Sequence, residues 1–365
     1  MPINRDSQSA VTIILAMIYL VLILSIGIYV SNKMTLKERR CTGLEKKVYP
    51  HLDKFISNIS DADAEYPLRD YYIKTAYNCC AVGLYKNSYV DLCALNACLG
   101  QGNRCLDMEI YSINNEPAVA VSSLKDFNIK ESYNSIPLAH VFQHLQDNAF
   151  SAGACPNPAD PLFLYLRIKS DHKELNDKIA GLIYTHFEDL VLGPDFSYEN
   201  HQHNFTDTPL KELRGKVVIM VDKTINSHYE QSKLDEYVNI AGGGRFMNSN
   251  RFYDIKYTYN SDDIIHFNKF NMTIVLPDLS PSDANFNAAL PQKYGCQFIA
   301  MAVQEMDEYL EKYDIFFGEA GHAFVLKPPD LRPKTETVPA VKAIPPDQSL
   351  QPRHSDTVVG LTYKI

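Results

Sequence analysis

The sequence predicts an α/β fold, a (β/α)8 TIM-type barrel preceded by a single N-terminal transmembrane helix, and three observations carry that expectation. The 365-residue chain is long enough to close a barrel-sized core. Short runs rich in β-branched and aromatic residues alternate with segments of helical periodicity. One uncharged apolar stretch near the N-terminus stands apart from both.

That stretch is AVTIILAMIYLVLILSIGIYV at residues 10–30. As a helix it can cross the roughly 30 Å hydrocarbon core of a bilayer. A cleaved signal peptide would want a basic leader, a shorter apolar run and small residues at its end. Here only Arg5 precedes the run, and β-branched residues fill its end. A retained anchor is therefore expected after a short tail of residues 1–9. Basic residues gather beyond it, at Lys33, Lys37, Arg39, Arg40, Lys46 and Lys47. By the positive-inside tendency they place the large domain on the cytoplasmic side. Sequons at Asn58, Asn204 and Asn271, with eight cysteines, would suit the opposite side. Adjacent Cys79 and Cys80 are awkward to bridge, and reduced thiols are the expectation.

Residues 31–61 read as a charged stalk, in which LEKKVYPHLDKFISNI sets apolar side chains at near-helical spacing. Strand-like runs follow at 71–75, 106–111, 118–121, 162–168, 217–221, 272–276, 298–303 and 323–326. Helical patterns occupy 138–149, 173–192 and 232–240. This alternation implies a parallel sheet, and the number of strands suits an eight-stranded barrel over residues 62–333. Residues 334–365 lose apolar periodicity and repeat proline, as an extended tail does. A formal charge of -9 excludes sequence-independent nucleic-acid binding, which needs a basic surface.

Alternation along LDMEIY puts Asp107, Glu109 and Tyr111 on one face of a strand. His140 and His144 stand four apart on a predicted helix, a zinc-like spacing with no third ligand nearby. His201-Gln202-His203 falls in a predicted loop and reads as solvated.

Several of these segments together resemble one family. YPLRDYYIKTAYNCCAVG from Tyr66 and GNRCLDMEIYSINNEPAVAVS from Gly102 resemble the start of the X region of phosphoinositide-specific phospholipase C. PLFLYLRIKS at 161–170 and LKELRGKVVIMVDK at 210–223 resemble its later strands. GCQFIAMAVQEMDEYLEKYDIFFGEAGHAFVLKPPDLRP at 295–333 resembles the end of the Y region. The resemblance covers roughly residues 62–333 and implies a PLC-like phosphodiesterase barrel.

The resemblance also implies two catalytic histidines and a calcium ion. Imidazole carries a proton near neutral pH, and calcium held by oxygen ligands acidifies the attacking hydroxyl. Here Tyr77 stands at the first histidine position, and Val121 lies where the second belongs. Asn78, Asp107 and Glu109 occupy ligand positions, but Arg167 stands at the remaining acidic one. Its guanidinium is expected to replace the cation by pairing with both carboxylates. Met220 and Asp222 stand at the headgroup lysine positions, between Lys216 and Lys223.

The expectation is thus a vestigial site of Asn78, Asp107, Glu109 and Arg167, with no catalytic residue and no cofactor, calcium being disfavoured. The protein is read as a membrane-anchored, catalytically inactive barrel with a structural or interaction role. It would contact the bilayer through residues 10–30, and protein partners through its surface and tail. A tether between an internal membrane and the capsid of a large DNA virus fits this description. The alternative is a divergent phosphodiesterase acting on a phospholipid or glycerophosphodiester. It would need relocated groups such as His266, Lys269 or His322 near Asp107 and Glu109. A third reading keeps the pocket as a lipid-headgroup receptor, against which the loss of base at Met220 and Asp222 counts.

Overall fold

The computed structural model describes residues 5–48, 56–125, 129–170, 172–197, 204–281 and 284–334. The chain divides into residues 1–333 and 334–365, and every element below belongs to the first unit. The Pro-rich tail beyond Lys334 and the His201–His203 loop lie outside the described residues.

Two helices open the chain, α1 (Arg5–Met34) and α2 (Leu36–Val48). Within α1, the 25 residues Ala10–Met34 are long and apolar enough to cross a membrane, and residues 10–32 are exposed along their whole length. The charged α2 instead lies against α3 (Leu92–Gly100), where Leu44 packs with Val82, Ala94 and Ala97. A disulfide between Cys41 and Cys93 joins the two helices.

The remaining elements, in chain order, build the barrel. They are β1 (Tyr71–Ala76), β2 (Cys105–Ile113), β3 (Glu116–Val119), β4 (Ile136–Pro137), α4 (Leu138–Asn148), β5 (Leu162–Lys169), α5 (Lys173–Phe187), β6 (Val217–Asp222), β7 (Val238–Gly242) and β8 (Met247–Arg251). They continue with α6 (Phe252–Lys256), α7 (Ser261–Phe270), β9 (Met272–Leu276), α8 (Ala289–Lys293), β10 (Phe298–Met301), α9 (Glu308–Ala320) and β11 (Phe324–Leu326). Eight strands run parallel in the order β7-β6-β5-β2-β1-β10-β9-β8, a nearly closed barrel.

Strands such as VVIMVD are buried along their whole length because one face meets the lumen and the other the helices. Outside, α5 turns Leu175, Ile179, Ala180, Ile183 and Phe187 onto the sheet, the stripe that a 3.6-residue period dictates. Truncating Ile183 there would cost about 2–5 kcal/mol. Inside, side chains fill the lumen so closely that a Cβ at Gly242 would lie 2.3 Å from Tyr165 Oη. Glycine at that place is a packing requirement.

Four sequence expectations need correction. Residues 232–240 are a short 3-10 turn followed by β7, because β-branched Val238 and Ile240 pair with Ile219 and Met220 of β6 across a local shift of register. The runs at 118–121 and 323–326 became β3 and β11, which pair antiparallel to β2 and β1 outside the barrel path. Their places in the barrel wall are taken by β7 and by β8, whose polar sequence MNSNR carries no apolar alternation. The helix expected over 173–192 ends at Phe187. Reduced thiols are found at six buried cysteines, whereas Cys41 and Cys93 are bonded because α2 lies directly on α3.

Candidate functional site

The C-terminal ends of parallel strands converge on the barrel mouth, where a ligand would meet side chains from several strands. After β1 the chain turns through Asn78 at φ 45°, a left-handed conformation that asparagine tolerates. That turn lets the Asn78 N–H donate to Asp107 Oδ2 at 2.9 Å. From β2, alternation sends Asp107, Glu109 and Tyr111 to the same side. From β5 it sends Arg167 and Lys169, and the parallel register sets Arg167 beside Glu109.

Arg167 occupies the centre with no exposed surface. Its Nε donates to Asp107 Oδ1 at 2.5 Å and its Nη2 to Asp107 Oδ2 at 2.7 Å, a bidentate pair. Nη1 donates to Glu109 Oε1 at 2.6 Å, and Nη2 also to Asn78 Oδ1 at 2.8 Å. The Tyr77 ring lies under the guanidinium, 4.7 Å from its carbon. Glu109 Oε2 accepts from Tyr111 Oη at 2.7 Å and from the Ser122 N–H at 3.1 Å. Lys169 Nζ lies 3.4 Å from the same oxygen and donates to the Leu124 carbonyl at 2.7 Å.

Two cations and two carboxylates therefore balance in a buried cluster. Burial pushes the Asp107 carboxyl up from its ordinary range, while Arg167 pulls it back. Burial opposes the charge on Arg167, but Asp107, Tyr77 and Glu109 outweigh it and hold the guanidinium charged. Lys169 is lowered, by burial first, with Glu109 opposing. The Tyr111 phenol is raised by burial and by Glu109. None of these side chains is an imidazole, the group whose ordinary titration range spans neutral pH.

Calcium does not fit this donor set. The guanidinium takes both oxygens of Asp107, one of Glu109 and the Asn78 amide oxygen, all of which a hard cation would need. The Asn78 atom left without a partner is Nδ2, a donor that a cation cannot satisfy.

Other residues singled out in the sequence lie as follows. Tyr77 accepts a hydrogen bond at Oη from Arg251 Nη1 at 3.2 Å and meets Tyr85 edge to face. Val121 is buried, its carbonyl accepting from Glu131 and Ser132. Asp222 is buried and accepts from Thr224 Oγ1 at 2.6 Å and Ser249 Oγ at 3.2 Å. Met220 is fully buried. Lys216 donates to the Asp189 carbonyl and Lys223 pairs with Glu230.

The candidate histidines do not meet the cluster. His140 is exposed on α4, while His144 bonds Asn96 at 2.6 Å and is lowered by burial. His266 is exposed against Phe270, and His322 lies 3.5 Å from the Ser57 carbonyl. Lys269 is half-buried on α7. Among the described residues, the ligand-like grouping of His, Cys, Asp or Glu is Cys41, Asp91 and Cys93, two of which share the disulfide.

Lys169, Arg251 and Ser122 escaped the sequence reading. Lys169 had a signal, since it follows Arg167 by two residues on one strand. Arg251 had none, because β8 lacks strand-like patterning.

Another buried cation, Lys327, lies at the other end of the barrel. Lys327 Nζ donates to the carbonyls of Asn268 at 2.8 Å and Gly295 at 3.4 Å. Its ammonium is lowered to about 7 by burial, with Asp70 opposing.

A nearly closed parallel barrel of this kind has structural counterparts among known proteins. Residues 64–223 match the family model of the phosphatidylinositol-specific phospholipase C X domain. The crystal structure of PLC21 from S. officinalis shares 18% identity over 75% of this chain, with a TM-score of 0.59. That of PLC21 from L. pealei shares 18% over 73%, with a TM-score of 0.58. The chain spans 38% of the length of each. No curated protein matches the sequence. The chain thus has a phospholipase C-like barrel fold, and residues 64–223 are similar to the X domain.

Proposed function

We propose that this chain is a membrane-anchored, catalytically inactive phospholipase C-like protein with a structural or interaction role. One observation carries the reading: Arg167, Asp107 and Glu109 close on one another with no exposed surface, so the acidic cluster is spent on an internal ion pair. A substrate phosphate would have to break that cluster to enter, leaving buried charges unpaired. Tyr77 in place of an imidazole adds to the argument, since its ring packs under Arg167 and it offers no ring nitrogen to a phosphate.

The anchor is the apolar helix α1, and the barrel then serves through its surface. Tyr253, Tyr257 and Tyr259 are exposed near one another after β8, a composition common in contact surfaces. A membrane-to-shell tether, as in a virus with an internal membrane, is one role of this kind. Its sidedness is contested: basic residues after α1 favour the cytoplasmic side, and the Cys41–Cys93 disulfide favours an oxidising one. Protease protection in sealed vesicles decides between them.

The test of inactivity is phosphodiesterase assay of the full chain in mixed micelles of phosphatidylinositol, with and without calcium. We expect no turnover. Calcium-dependent turnover that disappears in an Asp107→Asn, Glu109→Gln variant would instead establish the divergent-enzyme reading.

A further inference from the structure

A second, differently built pocket lies between the juxtamembrane helices and the barrel rim. It encloses about 360 Å³ and is lined by Lys33, Leu36 and Arg40 on the helix side and by Leu84, Lys86 and Ser88 on the loop after β1. Three cations meet there, and none of the lining residues is acidic. Two of the cations have partners: Lys33 donates to Tyr133 Oη at 3.0 Å, and Lys86 pairs with Glu131 at 3.2 Å. Arg40 has no hydrogen-bond or ion-pair partner among the described residues.

Two further observations mark this pocket as built for an acceptor. Ser88 lines it, is only 3% exposed, and its Oγ has no hydrogen-bond partner. A buried hydroxyl in that condition costs free energy unless a ligand or an ordered water satisfies it. Beside it stands Gly83, where an added Cβ would lie 3.3 Å from Arg40 Cζ and 3.3 Å from Ser88 Oγ. Glycine there keeps open the space that faces both donors.

Position narrows the ligand. Lys33 lies in the last turn of α1, and Leu36 and Arg40 follow within α2. If α1 crosses the bilayer, this level is the headgroup layer, where phosphates reside. Leu84, 40% exposed, offers an apolar wall suited to the adjoining glycerol and acyl region. Charge, an unsatisfied hydroxyl and depth agree on one chemistry.

We propose that this pocket binds the phosphate of an anionic phospholipid headgroup, with Arg40 and Lys86 as charge partners, Lys33 closing the membrane side and Ser88 as hydroxyl donor. The inference rests on the membrane-anchor reading of α1 and adds to it a lipid partner outside the barrel lumen. Such a contact fixes the height and tilt of the barrel on the bilayer.

The test uses the full chain in neutral detergent with equimolar phosphatidylcholine and phosphatidic acid, retained lipid being counted by native mass spectrometry. One phosphatidic acid per chain is expected, preferred over phosphatidylcholine by about tenfold or more, the scale of a charge-assisted hydrogen bond. An Arg40→Gln, Lys86→Gln variant should lose that preference, and Gly83→Ala should weaken it without changing charge. Equal retention of the two lipids, or variants that retain phosphatidic acid as the wild type does, would overturn the proposal. Displacement of the lipid by millimolar inorganic phosphate would also overturn it, assigning the pocket to free phosphate. Alkaline carbonate extraction from phosphatidylcholine vesicles tests the anchor separately. Release there sinks the anchor reading, whereas firm retention without lipid preference sinks the pocket alone.

Discussion

Arg167 at the mouth of the barrel and Lys327 at its base are both buried cations, yet their surroundings set them to opposite states. Arg167 faces two carboxylates and an amide oxygen at 2.5–2.8 Å and stays charged. Lys327 reaches only carbonyl oxygens and is lowered to about 7, Asp70 acting on it from farther away. Burial penalises both ions, and only direct pairing with carboxylates offsets the penalty. The mouth is thus an internally neutral block, while the base retains a group that titrates in an ordinary pH range.

The largest test of this contrast is Arg167→Met. It strands Asp107 and leaves Glu109 with Lys169 alone, and should lower stability by about 3–5 kcal/mol in urea unfolding. Adding Asp107→Asn should restore most of the loss, because the stranded charge goes with it while Glu109 keeps its pairing with Lys169. A single variant as stable as the wild type would show that the cluster does not act as an ion pair.

Next comes Lys327→Met. The folded ammonium titrates near 7 and the ordinary one near 10.5, so between these values the unfolded chain binds the extra proton. Stability present above pH 10.5 is therefore lost as pH falls toward 7, by roughly a few kcal/mol. Lys327→Met should flatten that slope and gain stability at pH 7. Parallel pH profiles for the two proteins would contradict the unpaired-cation account.

Tyr77→Phe keeps the ring under Arg167 and removes only the hydrogen bond from Arg251, at a cost of about 1 kcal/mol. Smallest of all is Lys178→Gln, which breaks a half-exposed pair with Glu116 and should cost about 0–1 kcal/mol. An effect there as large as that of Arg167→Met would erase the distinction between buried and solvated pairs.

The sequence exposes the mouth more readily than the wall around it. In LDMEIY and LFLYLRIK, charged residues alternate with apolar ones, so period two alone puts Asp107, Glu109 and Arg167 on one face, and Lys169 with them. The parallel strands β6 and β9 are equally legible because apolar residues run along nearly their whole length. By contrast, β8 is polar: its Ser249 and Arg251 turn inward to bond Asp222 and Tyr77, a requirement that comes from distant strands. In the same way, β7 resembles a helix until Ile240 finds its partner on β6. The disulfide was hidden because 52 residues separate cysteines that only helix packing brings together.

That crosslink has a mechanical consequence. Traction applied to the barrel has two covalent routes to α1, one through all the chain between residues 41 and 93 and a shorter one through the sulfur atoms. The shorter route is taut first, so a pull bypasses the intervening chain and arrives at α2 directly from α3. A force exerted by anything gripping the barrel would reach α1 without first unravelling the polypeptide between the cysteines, and reduction would insert that length of slack.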